Sequence, residues 1–455
     1  MAVSPARAAA FEILLKVERE QSYASELLHA ARLAKLSSAD HGLATELVMG
    51  VLRWRPLLDR RLALASSQKL ERLDDEVVAA LRLGIYQLQF LSRIPARAAI
   101  YESVELVKAA RKRSAASFAN AVLRKIARET SHNAVAGSAT EELKQIRAAT
   151  DPASLARNAA HPEWLVERWV ARFGLEAARQ ICAYHQQVPA TAIHVSDEQS
   201  LEELAEDGIQ LSAGRLLSAA RRVESGDVTK TRSFREGRVS IQDEASQLVA
   251  MLVDRGKTIL DCCAAPGGKT ALIAARNPTS NIVATELHPH RARLLRRLAR
   301  GSNVHVIAAD ARQMPFSTRF DRILADVPCS GTGTLARNPE IKWRLKREDL
   351  ADLQSRQIAI LKSALGYLNI GGHLIYSTCS LEPEENEAVV EAALTGASGF
   401  EAVDCGDALQ RLRRSSELCA LDVESLITGP YLRTIPGVHP CDGFFAAIIA
   451  RTGSR

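Results

Sequence analysis

The chain has 455 residues, too many for one hydrophobic core, and its composition of 47% hydrophobic and 25% charged residues is that of an ordinary globular protein. Its longest apolar runs fall far short of a bilayer span, and its N-terminus enters an amphipathic pattern without the apolar core of a signal peptide, so a cytoplasmic protein without membrane contact is expected. Eight cysteines with no Cys-x-x-Cys pair, and 11 scattered histidines with no His-Glu-x-x-His, argue against a disulfide framework and a structural zinc, so no metal is expected.

The net charge of +6 is unevenly spread: residues 1–150 hold 23 Lys and Arg against 16 Asp and Glu, and the remainder is close to neutral. A basic module beside a near-neutral one suggests a polyanion-docking domain attached to a catalytic domain. Arg111, Lys112 and Arg113 are candidates for that contact, with a solvated basic face as the alternative. Apolar residues recur at helical spacing over 8–17, 24–34, 42–52, 77–91, 100–110 and 118–126, so residues 1–130 are expected to be all-helical, with Pro56 and Pro95 as breaks. Residues 131–140 are small and polar and read as a linker.

Residues 141–238 read as a small α/β linking subdomain. It has an amphipathic helix over 161–173 bounded by Pro162 and Gly174, a strand over 190–195 and a polar turn over 225–233. From 239 to 455 the pattern alternates. Strands are expected at 258–264, 282–286, 304–309, 320–325, 373–377 and 444–450, and helices at 269–276, 289–300, 347–368 and 384–394. That is a parallel sheet with helices on both faces, a Rossmann-like α/β domain.

The first strand of that domain runs into Asp261-Cys-Cys-Ala-Ala-Pro-Gly-Gly-Lys-Thr270. Gly267 and Gly268 allow a ligand close to the backbone, and Ala264 and Ala265 leave room for it. A phosphate-binding P-loop fails on spacing, because its first glycine would fall on Cys263, and Gly-x-Gly-x-x-Gly is absent. Strand two ends at Glu286, placed to accept from ribose hydroxyls, and strand three is followed by Asp310, suited to an adenine amino group. Strand four leads to Asp326. A nucleoside without a phosphate chain suits such a site, and S-adenosylmethionine is one.

Two cysteines each follow an apolar run: Cys329 in Ile323-Leu-Ala-Asp-Val-Pro-Cys-Ser-Gly-Thr-Gly333, and Cys379 in His373-Leu-Ile-Tyr-Ser-Thr-Cys-Ser380. Ligands of open α/β sheets bind at the carboxyl ends of strands, so both sulfurs are expected to face one cleft with Asp326. Two thiols and a carboxylate in one pocket suggest covalent chemistry, because a thiolate is the strongest side-chain nucleophile near neutral pH. Cys182, Cys262, Cys405, Cys419 and Cys441 read as small core residues.

With these residues in view, the chain resembles the bacterial ribosomal RNA small-subunit methyltransferase B group, within the Sun/NOL/NOP class of RNA 5-methylcytosine methyltransferases. The resemblance rests on Ser240-Ile-Gln-Asp-Glu-Ala-Ser246, residues 261–270, Asp326-Val-Pro-Cys-Ser-Gly-Thr-Gly333, Ser377-Thr-Cys-Ser380 and Pro436-Gly-Val-His-Pro-Cys-Asp-Gly-Phe-Phe445. The N-terminal part resembles the antitermination factor NusB through Ile94-Pro-Ala-Arg97 and Phe118-Ala-Asn-Ala-Val-Leu-Arg124. The likeness covers nearly the whole chain and is weakest over 141–238.

The resemblance implies an all-α NusB-like RNA-binding domain over 1–135, the α/β subdomain over 141–238 and a class I methyltransferase domain over 239–455. It implies Cys379 as nucleophile, Cys329 as the group assisting product release, and a cofactor site of Cys263, Ala264, Ala265, Pro266, Gly267, Gly268, Lys269, Glu286, Asp310 and Asp326. Relatives usually carry aspartate at position 286, and the longer Glu286 reaches a ribose with a small shift. The implied substrate is 16S ribosomal RNA, free or within a partly assembled small subunit, and the implied state is a monomer.

The chemistry fits these groups. Carbon 5 of cytosine is a poor nucleophile, and thiolate addition at carbon 6 makes it enamine-like. Asp326 would orient the base and offset charge developing on the ring. Lys342, Trp343 and Arg344, following the Cys329 loop, are candidates for stacking on and pairing with RNA, with Trp343 equally suited to anchor the next helix. Two other readings compete: a non-catalytic RNA-binding assembly factor, marked by failure to bind cofactor, and a DNA cytosine methyltransferase, in which Cys329 would attack and Thr378-Cys379-Ser380 would have no purpose.

Overall fold

The computed structural model describes residues 3–20, 22–29, 35–66, 68–132, 138–299, 301–419 and 422–453. It resolves into two units, Met1–Pro189 with Leu335–Arg344, and Ala190–Thr334 with Leu345–Arg455.

The first unit is helical throughout its described residues. Five helices, Pro5–Glu20, Ser38–Ala65, Asp75–Phe90, Ala96–Ala109 and Ala116–His132, pack around Leu47, Leu58, Leu62, Leu81, Leu83, Ile85 and Leu123, none of which is exposed. Ser37 caps the second of these by accepting from the Asp40 N–H. The part of the expected linker at 133–137, and the domain boundary at 135, lie outside the described residues. Three more helices follow, Ala139–Arg147, Pro152–Asn158 and Glu163–His185. Gly174, at φ 81 and ψ 163, interrupts the last where the sequence ends a helix, but the helix resumes beyond it.

One expectation is corrected here. Pro56 does not break its helix, which runs on to Ala65. Proline has no N–H for the carbonyl four residues earlier, and that carbonyl, of Leu52, instead accepts from the Trp343 indole at 3.0 Å. Within the 141–238 stretch, the helices up to His185 group with the first unit and the strands with the second. An ion pair of Arg61 with Glu142, and bonds from Arg60 to the Arg157 carbonyl and from Gln186 to the Arg53 carbonyl, tie those helices to the first unit.

The second unit opens with a small antiparallel sheet, β1 (Thr191–Val195), β2 (Gln210–Ala213), β3 (Ala220–Ser225) and β4 (Val239–Ile241), in the order β2-β3-β1-β4. Its core is Ile193, Leu204, Ile209, Val228 and Val239. The large sheet has β5 (Thr258–Asp261), β6 (Asn281–Glu286), β7 (Val304–Ala308), β8 (Phe320–Asp326), β9 (Leu368–Thr378), β10 (Phe400–Val403), β11 (Ile427–Thr428), β12 (Tyr431–Thr434) and β13 (Phe444–Arg451). Their order is β11-β12-β13-β9-β8-β5-β6-β7, with β10 also on β13. β7, β6, β5, β8 and β9 are parallel, and β13 runs antiparallel beside β9. Apolar clusters cover both faces, as the buried strands require.

The chain leaves β5 toward β6 and β7, then returns to place β8 on the other side of β5. That reversal opens a crevice at the carboxyl ends of β5 and β8, the usual ligand position in open α/β sheets.

Candidate active site

The turn after β5 is fixed from both sides. The Cys262 N–H donates to the Leu324 carbonyl at 2.8 Å, the Ala264 N–H to the Thr285 carbonyl at 2.9 Å, and the Thr285 hydroxyl to the Cys262 carbonyl at 2.6 Å. Gly267 then adopts φ 118, a left-handed conformation that a side chain would strain, and the helix Gly268–Arg276 starts there. A Cβ at Gly267 would also lie 2.9 Å from Leu295.

Asp261, buried at the end of β5, accepts from the Thr270 hydroxyl at 2.7 Å, while its second oxygen has no partner. Burial raises its pKa to about 7. Glu286 is nearly buried at the end of β6, accepts from the His288 N–H at 2.9 Å and lies 3.7 Å from Arg291. Asp310, half-buried, chelates Arg312 at 2.6–3.0 Å, and these hydrogen bonds hold its carboxyl below the usual range. The Cys263 thiol is pushed up by burial and then by the charges of Asp261, Asp326, Glu286 and Asp310, so four carboxylates from four strand ends converge on the turn.

Asp326, at the end of β8, binds the Lys269 ammonium at 2.7 Å and the Ser377 hydroxyl at 2.6 Å. Burial pulls Lys269 down, but Asp326 more than offsets it and the net shift is upward. Lys269 also lies 5.0 Å from the centre of the Phe444 ring.

Cys329 and Cys379 have their sulfurs 3.4 Å apart, each half-buried and each a free thiol. The register opposes Asp326 to Ser377, which brings the two loops side by side. The Val327 N–H donates to the Ser377 carbonyl at 3.0 Å and the Gly333 N–H to the Cys379 carbonyl at 2.9 Å. The Gly443 N–H closes the stack onto the Gly333 carbonyl at 2.9 Å. Of the other cysteines, Cys182, Cys262, Cys405 and Cys441 are buried and Cys419 is half-buried.

Gly333 has no room for a side chain: a Cβ would sit 2.2 Å from the Gly443 carbonyl oxygen, a backbone atom. Gly333→Ala is expected to displace that backbone, costing about 1–3 kcal/mol of stability. It should slow roughly tenfold or more any reaction that uses both sulfurs, through misalignment, while leaving ligand affinity at the glycine turn, read by calorimetry, near wild type.

The expected site residues therefore divide. Cys329, Cys379, Asp326, Lys269 and the 263–268 turn converge, with Glu286 and Asp310 on neighbouring strands. Lys342, Trp343 and Arg344 do not present themselves to RNA. Lys342 is buried and donates to the carbonyls of Arg53 (2.9 Å) and Ala160 (3.2 Å) and to Gln186 Oε1 (3.3 Å). The Trp343 indole serves Leu52, and Arg344 donates to the Val17 and Ser22 carbonyls. Trp343 thus anchors its own segment to the first unit rather than the helix that follows. Arg111 and Arg113 are exposed, and Lys112 pairs with Asp74 at 2.9 Å. Ser330, Ser377 and Ser380, which lie within the two cysteine motifs, surround the Cys329 and Cys379 sulfurs together with Gln357 and Glu385, which carry no signal of their own in the sequence.

A doubly wound sheet, a glycine turn ringed by strand-end carboxylates and a pair of adjacent thiols beyond the β8 and β9 ends define a class I methyltransferase that uses S-adenosylmethionine. Comparison with known proteins agrees. The model of the 16S rRNA methyltransferase RsmB/F family matches residues 249–450, that of the NusB family residues 4–128, and that of an RsmF/B-like ferredoxin-like domain residues 161–229. A probable ribosomal RNA small subunit methyltransferase B of Bacillus subtilis is 35% identical over 98% of both chains. A ribosomal RNA small subunit methyltransferase B of Pseudomonas syringae is 35% identical over 88% of this chain and 89% of its own. A solved methyltransferase homologue from Pyrococcus horikoshii superposes with a TM-score of 0.53 at 27% identity, over 65% of this chain and 96% of its own. The chain belongs to the ribosomal RNA small subunit methyltransferase B family and is an S-adenosylmethionine-dependent rRNA methyltransferase.

Proposed function

We propose that the protein methylates carbon 5 of a cytosine in 16S ribosomal RNA through a transient bond between Cys379 and carbon 6 of the base. The observation that carries this is the approach of the Cys379 and Cys329 sulfurs to 3.4 Å on loops joined to Asp326 and Lys269.

The 263–269 turn, Glu286, Asp310 and Asp326 hold the cofactor. The unpartnered, buried oxygen of Asp261 fits a polar ligand at this turn. Bound there, S-adenosylmethionine supplies an electrophilic methyl group. The Cys379 thiolate adds to carbon 6, and the electron pair of the 5,6 double bond makes carbon 5 nucleophilic. Asp326, fixed by Lys269 and Ser377, accepts from the exocyclic amine and orients the base, and the Lys269 ammonium bound to it offsets the negative charge that addition places on the ring near N3. After methyl transfer a water takes the carbon-5 proton, the electron pair of that C–H bond re-forms the 5,6 double bond, and the carbon–sulfur bond breaks with its pair returning to Cys379 as thiolate. Cys329, in contact with the departing sulfur, assists this elimination. The exposed Arg111 and Arg113 contact RNA phosphate, and the target base is unstacked to reach the crevice.

The test uses 16S rRNA tritiated at carbon 5 of cytosine. One tritium should reach water for each methyl group incorporated. Methyl incorporation with tritium retained would place the modification on another atom and end this reading.

A further inference from the structure

Glu385 lies in the short turn Pro383–Glu385 after β9 and has no exposed surface. One carboxylate oxygen accepts from the Ser330 backbone N–H at 2.7 Å and from Gln357 Nε2 at 2.9 Å. The other accepts from the Ser330 hydroxyl and, at 2.5 Å, from the Ser380 hydroxyl. Ser330 directly follows Cys329, and Ser380 directly follows Cys379. Gln357 also donates to the Pro328 carbonyl at 2.9 Å, and the Tyr376 hydroxyl donates to the Glu385 carbonyl at 2.6 Å.

A carboxylate this deep is costly unless its acceptor sites are filled. Here four donors fill them, and an acid proton would meet a donor on every side, so the ionised group fits the geometry. The bonds reach the two peptides that carry the reacting sulfurs and the residue before one of them, which makes a purely scaffolding role for Glu385 a poor account of its placement.

We propose that Glu385 is a positioning residue of methyl transfer, clamping the Cys329 loop to the Cys379 loop through Ser330 and Ser380 and so setting the separation of the two sulfurs. This rests on reading those cysteines as the reacting thiols and adds what holds them.

Its charge has a second effect. The Cys329 thiol is pushed well up by its bond to the Cys379 sulfur, by burial, and by the charges of Cys379 and Glu385. The other ionisable groups around the pair are Asp326, Lys269 and Tyr376. Raised in this way, Cys329 is disfavoured as the attacking sulfur.

Glu385→Gln preserves shape, removes the charge and turns one acceptor into a donor facing donors. Its kcat is expected to fall at least about tenfold, with the RNA KM within about twofold, because alignment and not binding is lost. The half-point of Cys329 alkylation by iodoacetamide, followed by site-resolved mass spectrometry, should move down. The double variant Ser330→Ala with Ser380→Ala keeps the charge but cuts the hydroxyl bonds; it should lower kcat and leave the alkylation profile in place. A Glu385→Gln enzyme with wild-type kcat and an unmoved profile overturns the proposal. Should that variant fail to fold, the double serine variant decides, and wild-type kcat there overturns the clamp. Failure of the underlying reading looks different: the wild-type enzyme would then release no carbon-5 proton, while the alkylation profile would still report on Glu385.

Discussion

Cys379→Ala is expected to abolish methyl transfer, whereas Cys329→Ala is expected to leave a protein–RNA adduct that survives denaturant. The two sulfurs lie 3.4 Å apart, and the proposed mechanism gives them different steps. The bond to the Cys379 sulfur, burial and neighbouring charge push the Cys329 thiol up, which disfavours it as the attacking group. Removing Cys379 deletes the attacking atom, a loss on the order of 10⁴-fold or more on the scale seen for covalent nucleophiles. Removing Cys329 leaves addition and methyl transfer intact and impairs only the release that follows, so the adduct accumulates. Gel electrophoresis of labelled rRNA under denaturing conditions separates the outcomes. Full activity in Cys379→Ala would reverse the assignment, and adduct formation by Cys379→Ala on a DNA oligonucleotide would favour the DNA-directed alternative.

Much of the catalytic half is legible in the sequence for a simple reason. Central strands buried on both faces carry apolar runs, at 259–260, 282–284, 323–325 and 444–450, and β5, β6 and β8 end in acids. The short β10, β11 and β12, two to four residues long, offer too few positions for any period to show. Glu385 is invisible for a different reason. An acid at the start of a helix is what dipole electrostatics favours anyway, so nothing in Pro383-Glu-Glu-Asn-Glu387 separates the fully buried Glu385 from the half-buried Glu384 and Glu387.

Lys342, Trp343 and Arg344 show the opposite failure, a strong pattern with the wrong meaning. Two cations flanking an aromatic ring match a nucleic-acid contact. Local sequence cannot reveal that Pro56, nearly 300 positions away, leaves a helix carbonyl without a donor. The segment answers a demand made elsewhere in the first unit, with Trp343 serving Leu52 and Lys342 serving its neighbour Arg53.

Lys342→Met should therefore act on stability and not on RNA affinity. The amine meets three acceptors, and methionine leaves the Ala160 carbonyl and the Gln186 amide oxygen buried without this donor. At about 1–3 kcal/mol for each stranded group, a loss of roughly 3 kcal/mol is expected. Opposing it is the relief of removing a buried cation, since burial, aided by Arg53, pushes the Lys342 pKa well below its ordinary value. The two effects separate with pH. Between the lowered folded pKa and the unfolded value near 10.4, the folded state binds fewer protons than the unfolded one, so wild-type stability rises with pH. Methionine has no such dependence, so the deficit of the variant should widen from neutral toward alkaline pH and shrink as pH falls. All four tryptophans of the chain, Trp54, Trp164, Trp169 and Trp343, belong to the first unit, so denaturant unfolding followed by their fluorescence reads this unit alone. A variant as stable as wild type at pH 9 would show that the three bonds hold nothing together, and weakened RNA binding with unchanged stability would return Lys342 to the RNA surface.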